Sequence, residues 1–468
     1  MISSVRHGRP DLLNPTRCRL LLAAATAAYI AGLLTLSILK HATYHSSLID
    51  LGIFDQVIWN TAHGRWFWDT LDPFVQQNHV FLGQHFSPGL AAIVPLYWIA
   101  PSVYTLFVVQ TFALALGCVP IYVLAARRFA DERIALLLSL AYLAMPSLAY
   151  ANLFDFHEIV LAVPLLAWAA ERLDADRPGA AVALLCIALL FKEEVGLIVA
   201  AFGVFAAFGR GRPKLGAALI VLGLGWIVGI VYVAVPHIRG GPYLFTSRYQ
   251  GGILEQGRIN LDYLAHFWNA AKLKYFALLI VPLLGLPVIG GWAVVLIIPT
   301  TLYTILSTYP LQYDYHYHYA APLLPLLFVG AIHGLLRFRP SLRLPISATV
   351  FILVLAAAWL VGPLPGAREW TPAQYEWGPR ERAMATLAAM VPAGDSLAVD
   401  NQMGAHLTER VWVTHFFTGY EQAQALLFDL RETSATETKR QRAVAAIEHD
   451  PRWRLVAKQD DIVLYLRR

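Results

Sequence analysis

Long apolar runs recur along most of this sequence, from Leu20 to Val361. Each run approaches the roughly 20 residues that a helix needs to cross the hydrocarbon core of a bilayer. Charged residues make up only 14% of the chain, whereas soluble domains contain about 25%. Because so little of this surface suits water, the sequence predicts an integral membrane protein that crosses the bilayer many times.

The formal net charge of +5 comes from basic residues that cluster in short segments between the apolar runs. Such clusters are typical of cytoplasmic loops, so we predict no nucleic-acid partner. The N-terminal arginines, Arg6 and Arg9 among them, precede an apolar run long enough to be an uncleaved first span. The segments placed in the cytoplasm are the N-terminus, 127–133, 172–177, 209–214 and 337–343.

Hydropathy between these loops predicts about eleven crossings. The apolar segment 87–100 is interrupted by Pro88 and Pro95, and we predict that it is interfacial or re-entrant. The predicted crossings lie near 18–39, 102–126, 133–152, 157–171, 178–191, 195–209, 214–236, 273–289, 291–308, 318–336 and 345–362.

This topology places the polar segments of the chain together on the non-cytoplasmic side. Ionisable groups at membrane depth are costly, and they are functional-site candidates by default. The segments are 40–88, 154–158, 191–194, 237–272, 313–319 and the tail after Gly362. We therefore expect a multi-pass protein of the plasma membrane with a cytoplasmic N-terminus and an extracytoplasmic C-terminal part.

The C-terminal hundred residues are more charged than the rest, which predicts a second domain. We expect an all-α membrane domain over 1–366, which includes a first external loop over 40–100, and a small α/β domain over 367–468. Within the latter, 396–400 and 411–416 have strand character, 421–430 is predicted to be helical, and the last sixteen residues to be a β-hairpin.

Two carboxylates open the first external loop. Asp50 and Asp55 flank a short apolar turn, and either side chain is a candidate general base. A helix-capping aspartate is the structural alternative.

Further polar groups lie at the other corners. His85 precedes the proline-broken segment, and Asp155, His157 and Glu158 form a candidate site for a hard divalent cation. Lys192 interrupts an apolar run and is a candidate phosphate-neutralising group.

Glu193 follows Lys192 directly and is the predicted partner of its charge. His316 and His318 are two residues apart and would project oppositely on a strand, so a shared ligand is not the default. Walker-type glycine loops and the HExxH, GxSxG and CxxC motifs are absent. An ATP-driven pump is therefore disfavoured.

The motifs "DLGIFDQ", "HFSP", "FHE", "KEE" and a "YHY" element resemble those of a bacterial family of predicted membrane proteins of unknown function. More broadly, a first span followed by a long external loop with an acidic residue resembles the GT-C superfamily of membrane glycosyltransferases. The resemblance implies a polyprenyl-phosphate sugar donor, membrane lipids as partners, and a glycan, lipid or protein acceptor. The alternative function is a transporter or lipid flippase, which predicts an inverted repeat; none is evident in the sequence.

The GT-C resemblance also implies roles for individual residues. Asp50 best matches the acid of the first loop, with Asp55 as second choice. The leaving phosphate would be stabilised by His85, Lys192 or Arg248, or by Mg²⁺ or Mn²⁺ held by Asp155 and Glu158.

A geometric test follows from these predictions. The side chains of Asp50, His85, Glu158, Lys192 and His316 should line one cavity that continues into a lipid-facing groove.

Overall fold

The computed structural model describes residues 14–71, 78–249, 254–255, 258–259, 267, 269–432 and 437–468. Arg6, Arg9 and most of 250–268 lie outside these residues. The described chain is mostly helical, with a small sheet near its C-terminus.

Helix α1 illustrates how the sequence sets an element. It begins at Pro15, whose fixed φ suits the first helical position, and the Asn14 side chain accepts a hydrogen bond from the Arg17 amide at 2.9 Å. Over the first half of the chain the helices are α1 Pro15–Ala42, α2 Ile53–Ala62, α3 Val94–Ile99, α4 Tyr104–Leu116, α5 Cys118–Phe129, α6 Glu132–Ala144, α7 Pro146–Leu153, α8 Ala162–Asp174, α9 Pro178–Ala188, α10 Val195–Val204, α11 Pro213–Gly229 and α12 Val235–Arg239.

The second half continues the helical bundle and then changes character. Its helices are α13 Ala270–Ile280, α14 Ile298–Leu306, α15 Leu323–Leu335, α16 Pro340–Val361, α17 Pro379–Ala388, α18 Asn401–Gly404, α19 Phe416–Gly419 and α20 Glu437–His449.

Among the described residues, four helical segments are long and apolar enough to cross a membrane: 15–42, 104–129, 213–239 and 340–361. Helices α6 and α7 make a fifth if the 44° bend between them is one broken span. Pro146, which lacks an amide hydrogen, accounts for that break. The predicted count of eleven is not confirmed, because several predicted spans form helices of only 10–17 residues.

The described strands are β1 Leu254–Glu255, β2 Arg258–Ile259, β3 Leu397–Val399, β4 Val413–His415, β5 Ala425–Asp429, β6 Trp453–Gln459 and β7 Ile462–Arg467, of which β1 and β2 form a separate antiparallel pair. The C-terminal sheet has the order β4-β3-β5-β7-β6. Strand β3 pairs parallel with both β4 and β5, and β7 pairs antiparallel with both β5 and β6.

The terminal hairpin prediction is confirmed by β6 and β7. The helix predicted over 421–430 is wrong, since β5 occupies half of it as a central strand with every residue buried. A strand buried on both faces has no polar alternation, so its apolar run could not be distinguished from a helix by periodicity.

The C-terminal sheet and the first loop share one hydrophobic core, which contains Leu48, Val57 and Phe81 together with Leu397 and Leu427. Polar contacts reinforce it: the Thr70 hydroxyl donates to the Val413 carbonyl at 2.7 Å. The C-terminal part therefore contributes directly to the position of the first loop.

Helices α10 and α11 pack closely through glycines. A Cβ added at Gly216 would lie 2.6 Å from the carbonyl oxygen of Gly203 and 2.6 Å from the Ala207 Cβ, closer than real Cβ contacts allow. A Cβ added at Gly225, on the same helix, meets nothing within 4 Å. Small residues of this kind let the backbones of membrane helices approach closely.

We expect Gly216→Ala to destabilise the protein by about 1–3 kcal/mol through overpacking, and Gly225→Ala to leave stability unchanged or slightly raised because alanine favours helix. Thermal unfolding of both variants in the same nanodisc preparation measures this. Equal melting temperatures for the two would contradict the packing described for α10 and α11.

Candidate active site

Asp50 lies on a single irregular turn, Leu48–Gly52, between α1 and α2. The C-terminal part holds this turn, because the Asn401 side-chain oxygen accepts hydrogen bonds from the Leu48 amide at 2.9 Å and the Ser47 hydroxyl at 3.1 Å. The Asp50 side chain remains 29% exposed, with its Oδ1 3.6 Å from the His157 Nε2. A carboxylate with this exposure is accessible to a bound molecule.

The corner that carries His157 is held firmly. Asp155 has a φ of +88°, which is unfavourable for a residue with a side chain and persists only when surrounding contacts impose it. Its carboxylate accepts from the Ser47 amide at 2.8 Å and pairs with the Lys40 ammonium at 3.4 Å. The Gln110 side chain accepts from the His157 amide at 3.0 Å and donates to the Asp155 carbonyl at 2.8 Å.

Asp50 and His157 face a polar cavity of about 260 Å³. On one of its walls the His157 and His318 rings stack with centroids 3.5 Å apart. The polar residues lining the cavity are Asp50, Gln84, His85, His157, Glu158, Lys192, Arg248, Tyr309, His318 and Tyr319.

Lys192 and Glu158 form a buried ion pair at the cavity wall, with 3.1 Å between Nζ and Oε1 and side chains 5% and 0% exposed. Neither Glu158 oxygen has a partner in hydrogen-bonding geometry among the described residues. A buried charge pair needs further hydrogen bonds to offset its desolvation, so these oxygens keep unused hydrogen-bonding capacity beside the cavity. The predicted pairing of Lys192 with Glu193 differs from this arrangement.

Glu193 instead orients His85. Its Oε1 lies 2.8 Å from the His85 Nδ1, its Oε2 accepts from the Phe86 amide at 3.0 Å, and the Tyr243 hydroxyl donates to Oε1 at 2.5 Å. The His85 ring stacks on Phe245 at 4.4 Å with 4° between the planes. One face and the Nδ1 edge of this imidazole are therefore constrained.

Arg248 is surrounded by aromatic rings. Its guanidinium carbon lies 4.3 Å from the Phe245 ring centre, 4.7 Å from that of Tyr309 and 5.8 Å from that of Tyr319. No carboxylate in the described ranges forms an ion pair with it. Aromatic faces hold a guanidinium in place without neutralising its charge, which leaves the N–H groups available for an anion.

An apolar groove of about 620 Å³ meets the polar cavity at this arginine. The groove runs between α10, α11 and α14, and on its surface Leu224 and Leu302 are exposed by 46% and 50%. His85, Phe245, Arg248 and Tyr319 line both spaces. The two spaces are therefore adjacent, and the positive charge of Arg248 lies at their boundary.

Four of the five residues in the geometric test thus line one cavity, and His316 does not. The His316 ring instead faces a second cavity, with its Nδ1 2.5 Å from Asp314 and its Nε2 3.2 Å from Glu369. His316 and His318 point into different spaces, as alternate residues of an extended segment would. That segment is irregular and not a strand.

The proposed metal ligands Asp155, His157 and Glu158 do not converge, because each pairs in a different direction: with Lys40, with Asp50 and with Lys192. Their donor atoms form no metal-sized cluster among the described residues. This arrangement does not fit a divalent cation, and no chemical step is assigned to one here.

Asp55 is separated from the cavity. Its side chain is 1% exposed and accepts hydrogen bonds from the Tyr97 hydroxyl at 3.1 Å and from the Thr408 hydroxyl at 2.5 Å. Asp55 therefore joins the first loop to the C-terminal part.

Burial, together with the nearby Glu409 charge, raises the pKa of Asp55 to about 7 although the Thr408 and Tyr97 hydrogen bonds lower it. A raised pKa favours the neutral form in the folded state, so this stabilisation is complete at low pH and is lost as the pH rises through 7. The wild type therefore loses folding stability as the pH rises, by at most about 4 kcal/mol at about 1.4 kcal/mol per pKa unit. We expect the Asp55→Asn variant, which has no carboxyl group to ionise, not to show this loss.

Thermal unfolding of both proteins at pH 5.5 and pH 8.5 measures the effect. The melting temperature of the wild type should fall more between these values than that of Asp55→Asn. Equal pH dependence would contradict the raised pKa.

Sequence inspection missed the aromatic residues of the site. Phe245 and Tyr309 carry no recognisable motif, and Tyr319 ends the "YHY" element without having been assigned a role. The neighbours of all three in space come from separate segments. The one available signal was the density of aromatic residues around Arg248 in "YLFTSRY".

The fold is similar to that of two crystal structures of ArnT from Cupriavidus metallidurans. The structure bound to undecaprenyl phosphate has a TM-score of 0.53 and 14% identity, and the match covers 94% of this chain and 97% of that one. The apo structure has a TM-score of 0.51 and 14% identity, with 95% and 98% covered. This likeness shows that the chain has an ArnT-like fold.

No curated protein matches the chain. A family model described as "Predicted membrane protein (DUF2079)" matches residues 40–464. Over nearly its whole length, therefore, the chain belongs to the DUF2079 family of predicted membrane proteins.

Proposed function

We propose that this protein transfers a sugar from a polyprenyl-phosphate donor to an acceptor at the non-cytoplasmic face of a bacterial inner membrane. The observation that carries the proposal is the position of Arg248. A guanidinium with no carboxylate partner among the described residues lies where an apolar groove adjoins a polar cavity. A polyprenyl-phosphate sugar has its parts in the same order: a long hydrocarbon chain for the groove, a phosphate for the guanidinium and a sugar for the cavity.

In this proposal the isoprenoid chain lies in the groove between α10, α11 and α14. Arg248 binds the phosphate with the help of His85, and the sugar enters the cavity next to Asp50. Arginine suits this role because its planar N–H groups match two phosphate oxygens at once.

The reaction breaks the bond between the anomeric carbon and the phosphate oxygen and forms a bond from that carbon to the acceptor oxygen. Asp50 takes the proton that the acceptor hydroxyl loses, as a general base. The electron pair of the broken bond stays on the polyprenyl phosphate, whose added charge Arg248 stabilises. Lys192, whose charge Glu158 balances, supplies an N–H donor at the cavity wall.

The ArnT structure obtained with undecaprenyl phosphate supports the choice of donor class. At 14% identity, that support extends to the fold and not to individual residues.

The orientation belongs to the same proposal. At the end of the bundle away from Asp50, Arg127 pairs with Glu171 and Asp174, each at 2.8 Å, and Arg210 lies 3.6 Å from Asp174. Basic residues concentrated at that end favour its cytoplasmic location. In the proposed topology, residues 1–366 form the membrane domain and residues 367–468 form an extracytoplasmic domain. The membrane domain crosses the bilayer about eleven times.

Binding of three lipids to the wild-type protein in nanodiscs tests the donor class. We expect undecaprenyl phosphate to bind at least tenfold more tightly than undecaprenol, which lacks the phosphate, and than farnesyl phosphate, which lacks most of the chain. Equal binding of undecaprenol would remove the assigned phosphate site. If the protein moved the intact lipid from one leaflet of a vesicle bilayer to the other without transferring a sugar, the flippase alternative would be favoured.

A further inference from the structure

A second cavity, of about 460 Å³, lies beside the donor cavity and has no role in the mechanism above. It is formed where the ends of α1 and α7 meet the segment that follows α16. Lys40, Tyr150, His316, Glu369, Gln374 and Tyr375 supply its polar and aromatic lining. Most of the residues that line this second cavity are polar, whereas most of those that line the groove are apolar.

We propose that this second cavity binds the acceptor through a carbohydrate head group, an inference that rests on the glycosyltransferase function proposed above. Three observations carry it: the preorganised carboxylate of Glu369, the mixture of donors and acceptors around it, and the thin wall that separates it from Asp50.

Glu369 is held by three donors. The Tyr150 hydroxyl donates to its Oε2 at 2.9 Å, the Tyr315 hydroxyl lies 2.9 Å from its Oε1, and the His316 Nε2 lies 3.2 Å from its Oε2. Burial acts to raise the pKa of Glu369, but these hydrogen bonds outweigh it and lower the pKa. The side chain is still 33% exposed, so an ionised and oriented acceptor group faces the cavity.

The remaining lining complements this carboxylate. The Lys40 ammonium donates to the Leu153 carbonyl at 2.7 Å and lies 3.4 Å from Asp155, so its charge is already balanced. Tyr375, which stacks with Trp370 at 4.5 Å, adds an aromatic face beside the amide of Gln374. Hydroxyl-rich ligands need this combination of donors, acceptors and apolar ring faces in fixed positions.

The wall between the two cavities is aromatic. Phe154 lines the second cavity and packs on His157 at 5.3 Å and on His318 at 5.8 Å, and both histidines line the donor cavity. Tyr317 closes the same wall, with its ring 4.5 Å from Phe154. A head group in the second cavity is therefore separated from His157, the partner of Asp50, by one layer of aromatic side chains.

Saturation-transfer NMR tests the site without requiring turnover. The protein is placed in phosphatidylcholine nanodiscs, because a maltoside detergent would itself present a saccharide. The probes are the neutral methyl glycosides of glucose, galactose and mannose, together with methyl glucosaminide and methyl phosphate, whose methyl protons report binding of a phosphate group. At least one neutral glycoside should give a saturable signal with the wild type.

Glu369→Gln should weaken that signal at least tenfold, and Gln374→Ala, which truncates one cavity side chain, should also reduce it. Glu376→Gln is the matched control, since Glu376 is exposed and outside the cavity. Retained glycoside binding in both cavity variants, or binding only of the amine-bearing glycoside or of methyl phosphate, would overturn the proposal.

A further variant separates this site from the donor site. Arg248→Met should keep the glycoside signal while it loses undecaprenyl phosphate. If undecaprenyl phosphate fails to bind the wild type although neutral glycosides bind in a Glu369-dependent way, the donor proposal fails and the saccharide site stands. If the lipid binds and no neutral glycoside does, the second cavity is not a carbohydrate site.

Discussion

Asp50→Asn is expected to reduce sugar transfer by about 10²–10⁴-fold, the usual contribution of a positioned general base. Asparagine keeps the size of the side chain but cannot accept the acceptor's proton. The assay follows release of polyprenyl phosphate from defined polyprenyl-phosphate sugars in the presence of candidate acceptors. Because Asp50 is partly exposed and makes one long contact, to His157, the variant should fold normally.

Asp55→Asn is the matched control for that experiment. It makes the same chemical change five residues away, at a buried position that contacts Thr408 and Tyr97. We expect its transfer rate to stay within a few-fold of the wild type. If Asp55→Asn abolished transfer in a folded protein and Asp50→Asn did not, the base would be Asp55 and the site described here would be misassigned.

Arg248→Met is expected to weaken undecaprenyl phosphate binding by about 10–100-fold, since hydrogen bonds to charged groups contribute about 1.5–3 kcal/mol. Methionine keeps an unbranched apolar side chain between Phe245, Tyr309 and Tyr319 while it removes the charge. Arg248→Lys should recover part of the affinity, because lysine retains the charge without the planar pair of donors. Native mass spectrometry or a thermal-shift titration in nanodiscs provides the measurement.

Arg368→Met is the corresponding control. Arg368 is exposed, lies over Trp359 and lines neither the groove nor the polar cavity. Its removal should leave lipid affinity unchanged. Equal losses in the two variants would indicate a general effect of surface charge on an anionic lipid and not a site at Arg248.

Several parts of the site were predictable from local sequence because physical cost makes them conspicuous. Charges such as Lys192 and Glu193 inside an apolar run must be paired or line a polar space, and the structure places both at the site. The terminal hairpin was equally clear, since two apolar runs flank an acidic turn. In each case a few adjacent residues carry the whole signal.

Partners could not be predicted in the same way. Glu158 rather than Glu193 pairs with Lys192, and the supposed metal ligands Asp155, His157 and Glu158 face three directions. Adjacent residues at a tight corner point apart, and the positive φ of Asp155 turns the chain further. Sequence proximity is therefore a poor guide to shared ligands at such corners.

Composition and hydropathy are enough to establish that the chain enters a membrane, because its apolar runs and scarce charges suit a lipid environment and not water. They also identify the segments that carry ionisable groups. Which of those groups meet depends on tertiary packing, which brings Asp50, His85, Lys192 and Arg248 to one cavity and directs His316 to another. It distinguished Asp50 from Asp55 as well, since Asn401 and Thr408, more than 340 residues away along the chain, hold the two aspartates in different environments. Contacts at that separation depend on packing of the C-terminal sheet against the first loop, which no local pattern encodes.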